Sequence, residues 1–472
     1  MNITLKHIVA TLLISLVFSS CSFLEVEQTG KTDTDTFFKD MEGLRTACTG
    51  LYSTVYDFYD NNIVKYAETA GDCLQSVSSS KGGEMYYPYN FLSTPDLETT
   101  TVGFLWKQGY FSIINANTIL NYIPSLKEAY PKNVDEILSI EGQAVFIRAL
   151  VHFQLIQAYA QTYGFTPNAS HPGLPYLDHV AGTDEELARI SVAEFYKKIN
   201  TDINKARGLL SEALEDTDYV TLRACDALQS RVYLYMNDWI QAEKYATIAL
   251  EGLTLTSNGD YEAMFTGEEK GSEAIFSLTS RYASSRLLKF FDYESPDYYP
   301  VQEFVSEFEA GDVRVKLLSS PDGQSSCMKY YDLKSDSPVE RFYRIRILRG
   351  SEMVLNRAEA RCMQGNITGA AEDLKQIVAR ALGVAAETLA PGKVEQTDKD
   401  KLLQQIRQER KKELCFEGQR FFDISRYKEG LQRYPSTNSS LTVLSWPDYR
   451  FILPIPQLEL DVNHALKQND GY

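Results

Sequence analysis

The sequence is poor in the residues and patterns that carry out chemistry. It has five histidines in 472 residues, and none lies in an HExxH or HxxxH pattern that would mark a helix-borne zinc site. His171 and His179, eight apart on one loop with Asp178 beside the second, come nearest to a metal pair. No metal or cofactor is expected. There is no GxSxG elbow, P-loop or GxGxxG, so the common hydrolase and nucleotide signatures are missing. Acidic pairs such as Glu185/Glu186 and Glu268/Glu269 match the composition of glycosidase carboxylates. With 64 acidic residues in the chain, a solvated face explains them better, and an enzyme is not expected. Basic residues are in deficit, 47 against 64, which leaves a net charge of −17. Such a chain repels phosphate backbones, which excludes a general nucleic-acid binder. Tryptophan is scarce at three. No apolar stretch reaches the ~20 residues that a membrane-spanning helix needs.

The N-terminus reads as an export signal. Lys6 supplies the positive region, Ile8–Phe18 the short apolar run, and small Ser19 and Ser20 precede Cys21. Small residues directly before a cysteine resemble a bacterial lipobox, in which that cysteine is lipidated. Residues 1–20 are read as a lipoprotein signal peptide and 21–36, polar and aperiodic, as a lipid tether. Six cysteines remain, dispersed and without CxxC spacing. Those at 225, 362 and 415 have apolar helical neighbours, so buried free thiols are expected.

From Phe37 onward the spacing predicts mostly helix. Helices are expected at 105–123, ended by Pro124, at 134–163, and at 301–310. Ser191 to Glu194 forms a capping box. Residues 221–252 read as two helices joined at Met236-Asn-Asp238, with small Ser230, Ala242 and Ala249 at tetratricopeptide-like offsets. A second such pair spans 352–380 and turns at Gly365-Asn366. The pairs lie about 120 residues apart, so no tandem array is expected. A loop-rich insert at about 261–346 separates them, with a short strand at Ala274–Thr279. The basic run Arg407–Lys412 predicts ion pairs on a helix surface. His152 and Trp106 read as core. The fold class is mainly α: a scaffold of tetratricopeptide-like helical pairs with irregular loops and short β elements. Residues 37–260 form an N-terminal helical region and 261–472 a C-terminal region that holds the insert.

The surplus is in aromatics, with 30 Tyr and 23 Phe. Two loops concentrate them. One holds Tyr86, Tyr87 and Tyr89; the other holds Tyr282, Phe290, Phe291, Tyr293, Tyr298 and Tyr299. Aromatic faces stack on the C–H faces of sugar rings, and Tyr adds a hydroxyl for hydrogen bonding. Loops carried on a rigid scaffold are where binding residues concentrate.

Four stretches resemble the SusD/RagB-like outer-membrane lipoproteins. They are CSFLE (21–25) with 32–56, GQAVFIRALVHFQL (142–155), Arg349–Gly383, and IRQERKKELCFEGQRFFDISRY (406–427) with LPIP (453–456) and the terminal QNDGY. Gln419, Tyr427 and Asp470 depart from the family's frequent His, Trp and Pro. The resemblance implies a non-enzymatic surface lipoprotein of the outer membrane, anchored through lipid on Cys21. It implies capture of oligosaccharide, or of peptide in some relatives, for a partner TonB-dependent (SusC-like) transporter. It places the ligand in the two aromatic loops, at Lys81, Tyr86, Tyr87, Tyr89, Asn90, Tyr282, Tyr293 and Tyr298. A protein-interaction scaffold is the remaining alternative, because helical pairs of this type often bind partner segments.

Overall fold

The computed structural model describes residues 33–77, 83–97, 100–182, 184–267, 270–280, 285–292, 294–319, 323, 325–330 and 343–472. Cys21, Lys81, Tyr282 and Tyr293 fall outside them. Two compact units are distinguished, residues 1–44 and 45–472. The described part of the first opens with a short helix, Thr34–Phe37, capped by the Asp33 carboxylate, which accepts the Thr36 N–H at 3.0 Å.

Helix α1 (Met41–Phe58) is followed by a π-turn at Tyr59–Ile63 and by α2 (Val64–Thr69). Strand β1 is Leu74–Ser76. The scaffold then runs through α3 (Thr101–Ala129), α4 (Val134–Tyr159), α5 (Val192–Leu209), α6 (Leu222–Met236) and α7 (Trp239–Leu250). Beyond the insert it resumes with α8 (Gly350–Met363), α9 (Ile367–Leu382) and α10 (Lys399–Glu413). Each of these helices packs on the next in the series. The two predicted pairs, α6/α7 and α8/α9, are therefore separated in sequence but continuous in space, because α8 packs directly on α7. Ala242, Ala246, Ala249, Ala358 and Ala370 are wholly buried there. Without side-chain bulk the helices approach closely enough for Ser230 Oγ to donate to the Ala242 carbonyl at 3.0 Å. Both turns fall where the spacing placed them, with Asn237 (φ 60°) and Gly365 (φ 84°) in the left-handed region.

The insert leaves after α7 and returns at α8. Its strands β2 (Ala274–Ser280) and β4 (Tyr343–Arg349) pair antiparallel, with Leu278 opposite Ile345. The expected helix at 301–310 shrinks to Gln302–Val305. The expected helix at 134–163 stops at Tyr159, where Ala160 turns extended. Pro124 does not end α3, which continues to Ala129. Its ring lies on the exposed side of the helix, while Ile123 and Leu126 are buried and hold the last turns against the core.

The basic run 407–412 is also not simply a surface. Arg410 is buried on α10, with Nε donating to Asp423 at 2.7 Å and Nη1 to Asn356 at 2.7 Å. Near it, Glu413 takes Arg349 and Arg380 at 2.7 and 2.6 Å, and Glu273 takes Arg349 at 2.7 Å. These carboxylates tie the ends of the insert to α9 and α10. One-dimensional spacing identified the charge run but not which of its faces packs inward.

Candidate functional site

The two aromatic loops, about 200 residues apart in sequence, are joined by hydrogen bonds. Strand β1 pairs antiparallel with β3 (Tyr298–Pro300), with Ser76 opposite Tyr298 and Leu74 opposite Pro300. The ladder extends at each end, from Val77 N–H to the Asp297 carbonyl at 3.0 Å and from Val301 N–H to the Cys73 carbonyl at 2.9 Å. The loop after β1 and the insert thus share one floor.

A single helical turn, Tyr86–Tyr89, sits on this floor. Its flanks, Met85 (φ 58°) and Phe91 (φ 55°), lie in the left-handed region that non-glycine residues avoid. Both side chains are buried, and that burial holds the reversal in place. The turn is anchored by Arg433, a residue that sequence reasoning missed. Arg433 is buried and has no carboxylate partner within ion-pair distance among the described residues. It donates instead to four main-chain carbonyls: Thr69 at 2.9 Å, Gly71 at 2.9 Å, Tyr89 at 2.6 Å and, more weakly, Leu441 at 3.3 Å. Its guanidinium lies 4.6 Å from the Tyr89 ring centroid and 5.2 Å from that of Phe91. Burial pulls its pKa down to about 10. Asn438 is the second clasp: its side-chain oxygen accepts from the Tyr89 hydroxyl at 2.7 Å and its amide donates to the Ser76 carbonyl at 2.7 Å.

The expected ligand residues divide accordingly. Tyr89 is buried; its ring meets Tyr298 edge-on at 5.2 Å, and burial raises its hydroxyl pKa. Tyr298 is buried too, stacked on Phe290 at 5.0 Å, and its hydroxyl donates to the Glu84 carbonyl at 3.1 Å. Asn90 is 7% exposed. Its amide donates to the Tyr86 carbonyl at 2.9 Å, and its oxygen accepts the Ser440 N–H at 2.8 Å. These three side chains build the floor. Tyr86 and Tyr87 are the ones turned outward. They are half-exposed, edge-to-face at 5.4 Å and 89°, with no hydroxyl partner among the described residues. Half-exposed Tyr299 on β3, exposed Val77 and exposed Leu92 complete the open surface.

Charge at the rim is mixed. Lys65, buried, pairs with half-exposed Glu84 at 2.7 Å while lying 5.1 Å from the Phe290 ring centroid. Asp297 is held above its ordinary pKa by partial burial and then by the neighbouring Glu84 charge. Beneath the floor, Glu68 on α2 accepts the N–H groups of Phe416, Gly418 and Gln419 at 2.9, 2.8 and 3.1 Å. Those contacts seat helix α11 (Arg420–Tyr427) on α2 and give a structural role to FEGQRFF. Burial outweighs these donors and pushes the Glu68 pKa up to about 7.

Three of the described histidines are engaged on other elements. His152 is wholly buried on α4, donating from Nδ1 to the Arg148 carbonyl at 2.9 Å and accepting the Leu177 N–H at Nε2 at 3.2 Å. His171 is bonded to Thr166 and to the Gln161 carbonyl, while His179 sits between Asp178 and Glu185.

This arrangement is an open aromatic shelf on a helical stack, and comparison with known proteins identifies the family to which the stack belongs. The family model described as "Starch-binding associating with outer membrane" matches residues 22–234, and that of the SusD family matches residues 316–472. SusD-like protein P38 of Formosa agariphila is 25% identical, aligned over 98% of this chain and 99% of the relative. A solved structure from Bacteroides vulgatus ATCC 8482 is 27% identical with a TM-score of 0.79, covering 92% of this chain and 99% of the other. A SusD superfamily protein of Bacteroides thetaiotaomicron VPI-5482 has a TM-score of 0.80 at 22% identity, covering 91% and 99%. The chain belongs to the SusD/RagB-like family. Among the described residues no helix is long and apolar enough to cross a membrane.

Proposed function

We propose that this chain is a cell-surface lipoprotein, anchored through Cys21, that captures oligosaccharide and presents it to a partner TonB-dependent transporter of the outer membrane. It performs no catalysis in this reading. The observation that carries the reading is the division of the aromatic loop: Tyr89 and Tyr298 are locked in the floor, while Tyr86 and Tyr87 are turned outward, their hydroxyls without a partner among the described residues. Stacking faces that are fixed before ligand arrives cost little ordering entropy on binding. The family description, starch-binding, supports a saccharide over a peptide. Lys81, Tyr282 and Tyr293, on the same two loops, remain candidate contacts.

The test is calorimetric titration of the protein with a panel of neutral and acidic oligosaccharides and with mixed peptides. Tyr86→Ala and Tyr87→Ala should each weaken saccharide binding about tenfold, equivalent to ~1.4 kcal/mol, without lowering the melting temperature. Unchanged affinity in both would move the site elsewhere. Binding of peptides alone would overturn the saccharide reading. Loss of membrane association and of acyl labelling in Cys21→Ala would test the anchor.

A further inference from the structure

A second surface has the ingredients of a binding site and lies on different elements. Residues 161–172, which follow α4, and the C-terminal residues 447–470 enclose a cleft of about 300 Å3. That is the lower end of the range for small-molecule sites and suits one or two sugar rings. Two large rings stand open on its walls, Phe165 and Tyr449, each 41% exposed. Both are braced from behind. Phe165 meets Trp446 edge-on at 6.0 Å, and Tyr449 meets Tyr472 at 4.9 Å and 84°. Trp446 is the one tryptophan outside the scaffold helices, and its ring supports this wall.

The polar groups of the cleft also differ in availability. Arg189 is already engaged: Nε donates to the Gly173 carbonyl at 2.6 Å, Nη1 to the Lys467 carbonyl at 2.9 Å and Nη2 to Asn469 at 2.8 Å. It fastens the C-terminal segment to the 172–173 turn and leaves no free fork for an incoming carboxylate. Acceptors are what remain open. Asp470 is exposed and makes no hydrogen bond or close ion pair among the described residues, though the Arg189 charge lies near enough to act on it through space. Asp448 is held by Arg450 at 2.9 Å on the same rim. A carboxylate oxygen accepts two hydroxyl donors readily and repels another anion. Aromatic faces beside free acceptors fit a ring that is apolar on its face and rich in hydroxyl groups at its edge.

We infer that this cleft is a second saccharide site, separate from the Tyr86/Tyr87 shelf, which takes a neutral pyranose or the end of a neutral chain and discriminates against uronates. The inference rests on the saccharide reading above but uses none of the same residues. Phe165 and Tyr449 supply stacking, and Asp470 accepts from ring hydroxyls.

The experiment uses full-length protein in detergent, titrated with maltohexaose, xylohexaose, cellohexaose and trigalacturonate by calorimetry and saturation-transfer NMR. In the Tyr86→Ala/Tyr87→Ala double variant, weaker binding to a neutral hexaose should persist. Adding Phe165→Ala and Tyr449→Ala should reduce that residual affinity at least about tenfold. Asp470→Asn keeps the shape and should weaken it severalfold while relaxing the exclusion of trigalacturonate. Both rings are exposed, so melting temperatures should match the parent; if they do not, the Asp470→Asn result decides alone. No residual binding in the Tyr86/Tyr87 variant, or residual binding indifferent to the cleft substitutions, overturns the second site and leaves the first standing. Wild-type binding that depends on Phe165 and Tyr449 but not on Tyr86 and Tyr87 upholds the cleft and removes the shelf. Failure of every neutral saccharide to bind overturns both.

Discussion

Tyr86 and Tyr89 lie three residues apart in YYPY, yet one faces solvent and the other is locked beneath it by Arg433 and Asn438. Their composition and spacing are the same; what separates them is a guanidinium more than 340 residues away. Arg433→Met should cost about 3 kcal/mol, because the Thr69, Gly71 and Tyr89 carbonyls each lose a buried donor worth ~1 kcal/mol or more. The expected signature in urea unfolding is a lower midpoint with an unchanged slope. Two titrating residues give a sharper test. Burial pulls the His152 pKa down to about 3. Below pH ~6.5 the unfolded chain therefore gains a proton that the native state refuses, so the stability from neutral His152 is full above 6.5 and falls on acidification. Glu68, pushed up to about 7, has the opposite sign: the native state takes up a proton first, and stability rises as pH falls toward ~4.5. The His152 slope runs from pH ~6.5 to about 3 and the Glu68 slope from about 7 to ~4.5, so the two nearly cancel where they overlap, between pH ~6.5 and ~4.5. His152→Gln should make the protein more stable toward acid over that interval, and Glu68→Gln should make it less so. Parallel pH profiles for the two variants would refute the assignment.

At the scale of elements, what was legible followed from local physics. The α6/α7 and α8/α9 turns could be read because each pairs a left-handed residue with a capping side chain. Asp238 accepts the Gln241 N–H at 3.2 Å and Asn366 accepts the Gly369 N–H at 3.1 Å. Asp238→Ala and Asn366→Ala should each cost about 1 kcal/mol in chemical unfolding. Asn237→Gly should be nearly neutral, since glycine accepts the same left-handed conformation. Other features depended on partners that spacing does not reveal. Pro124 reads as a stop, yet buried Ile123 and Leu126 carry α3 past it. Strands β1 and β3, three residues each, have too little periodicity to announce themselves, and no local pattern says that Ser76 meets Tyr298. Hence both aromatic loops were identifiable while their joint floor was not, and floor residues could not be told from outward-facing ones.

At the scale of the molecule, the described thiols behave as core. Cys48, Cys73, Cys225, Cys327, Cys362 and Cys415 are all free and buried. Burial drives the thiols of Cys48 and Cys415 up to about 12, far from the reactive thiolate. Protein lacking residues 1–21 should show almost no thiol reactive toward a chromogenic disulfide when native, and six after denaturation. Reaction of one or more in the native state would mean that part of the core opens readily.

The chain leaves the helical stack after α7 and rejoins it at α8, which packs directly on α7. Residues 251–349 therefore leave and re-enter the helical stack at one place, as a cassette whose ends are pinned to α9 and α10 through Glu273, Arg349 and Glu413. Through β3, however, the cassette is stitched to β1 and the tyrosine turn. Recombination between relatives would transfer the proposed site only when both segments travel together, and a chimera carrying one alone would inherit a scaffold with half a floor.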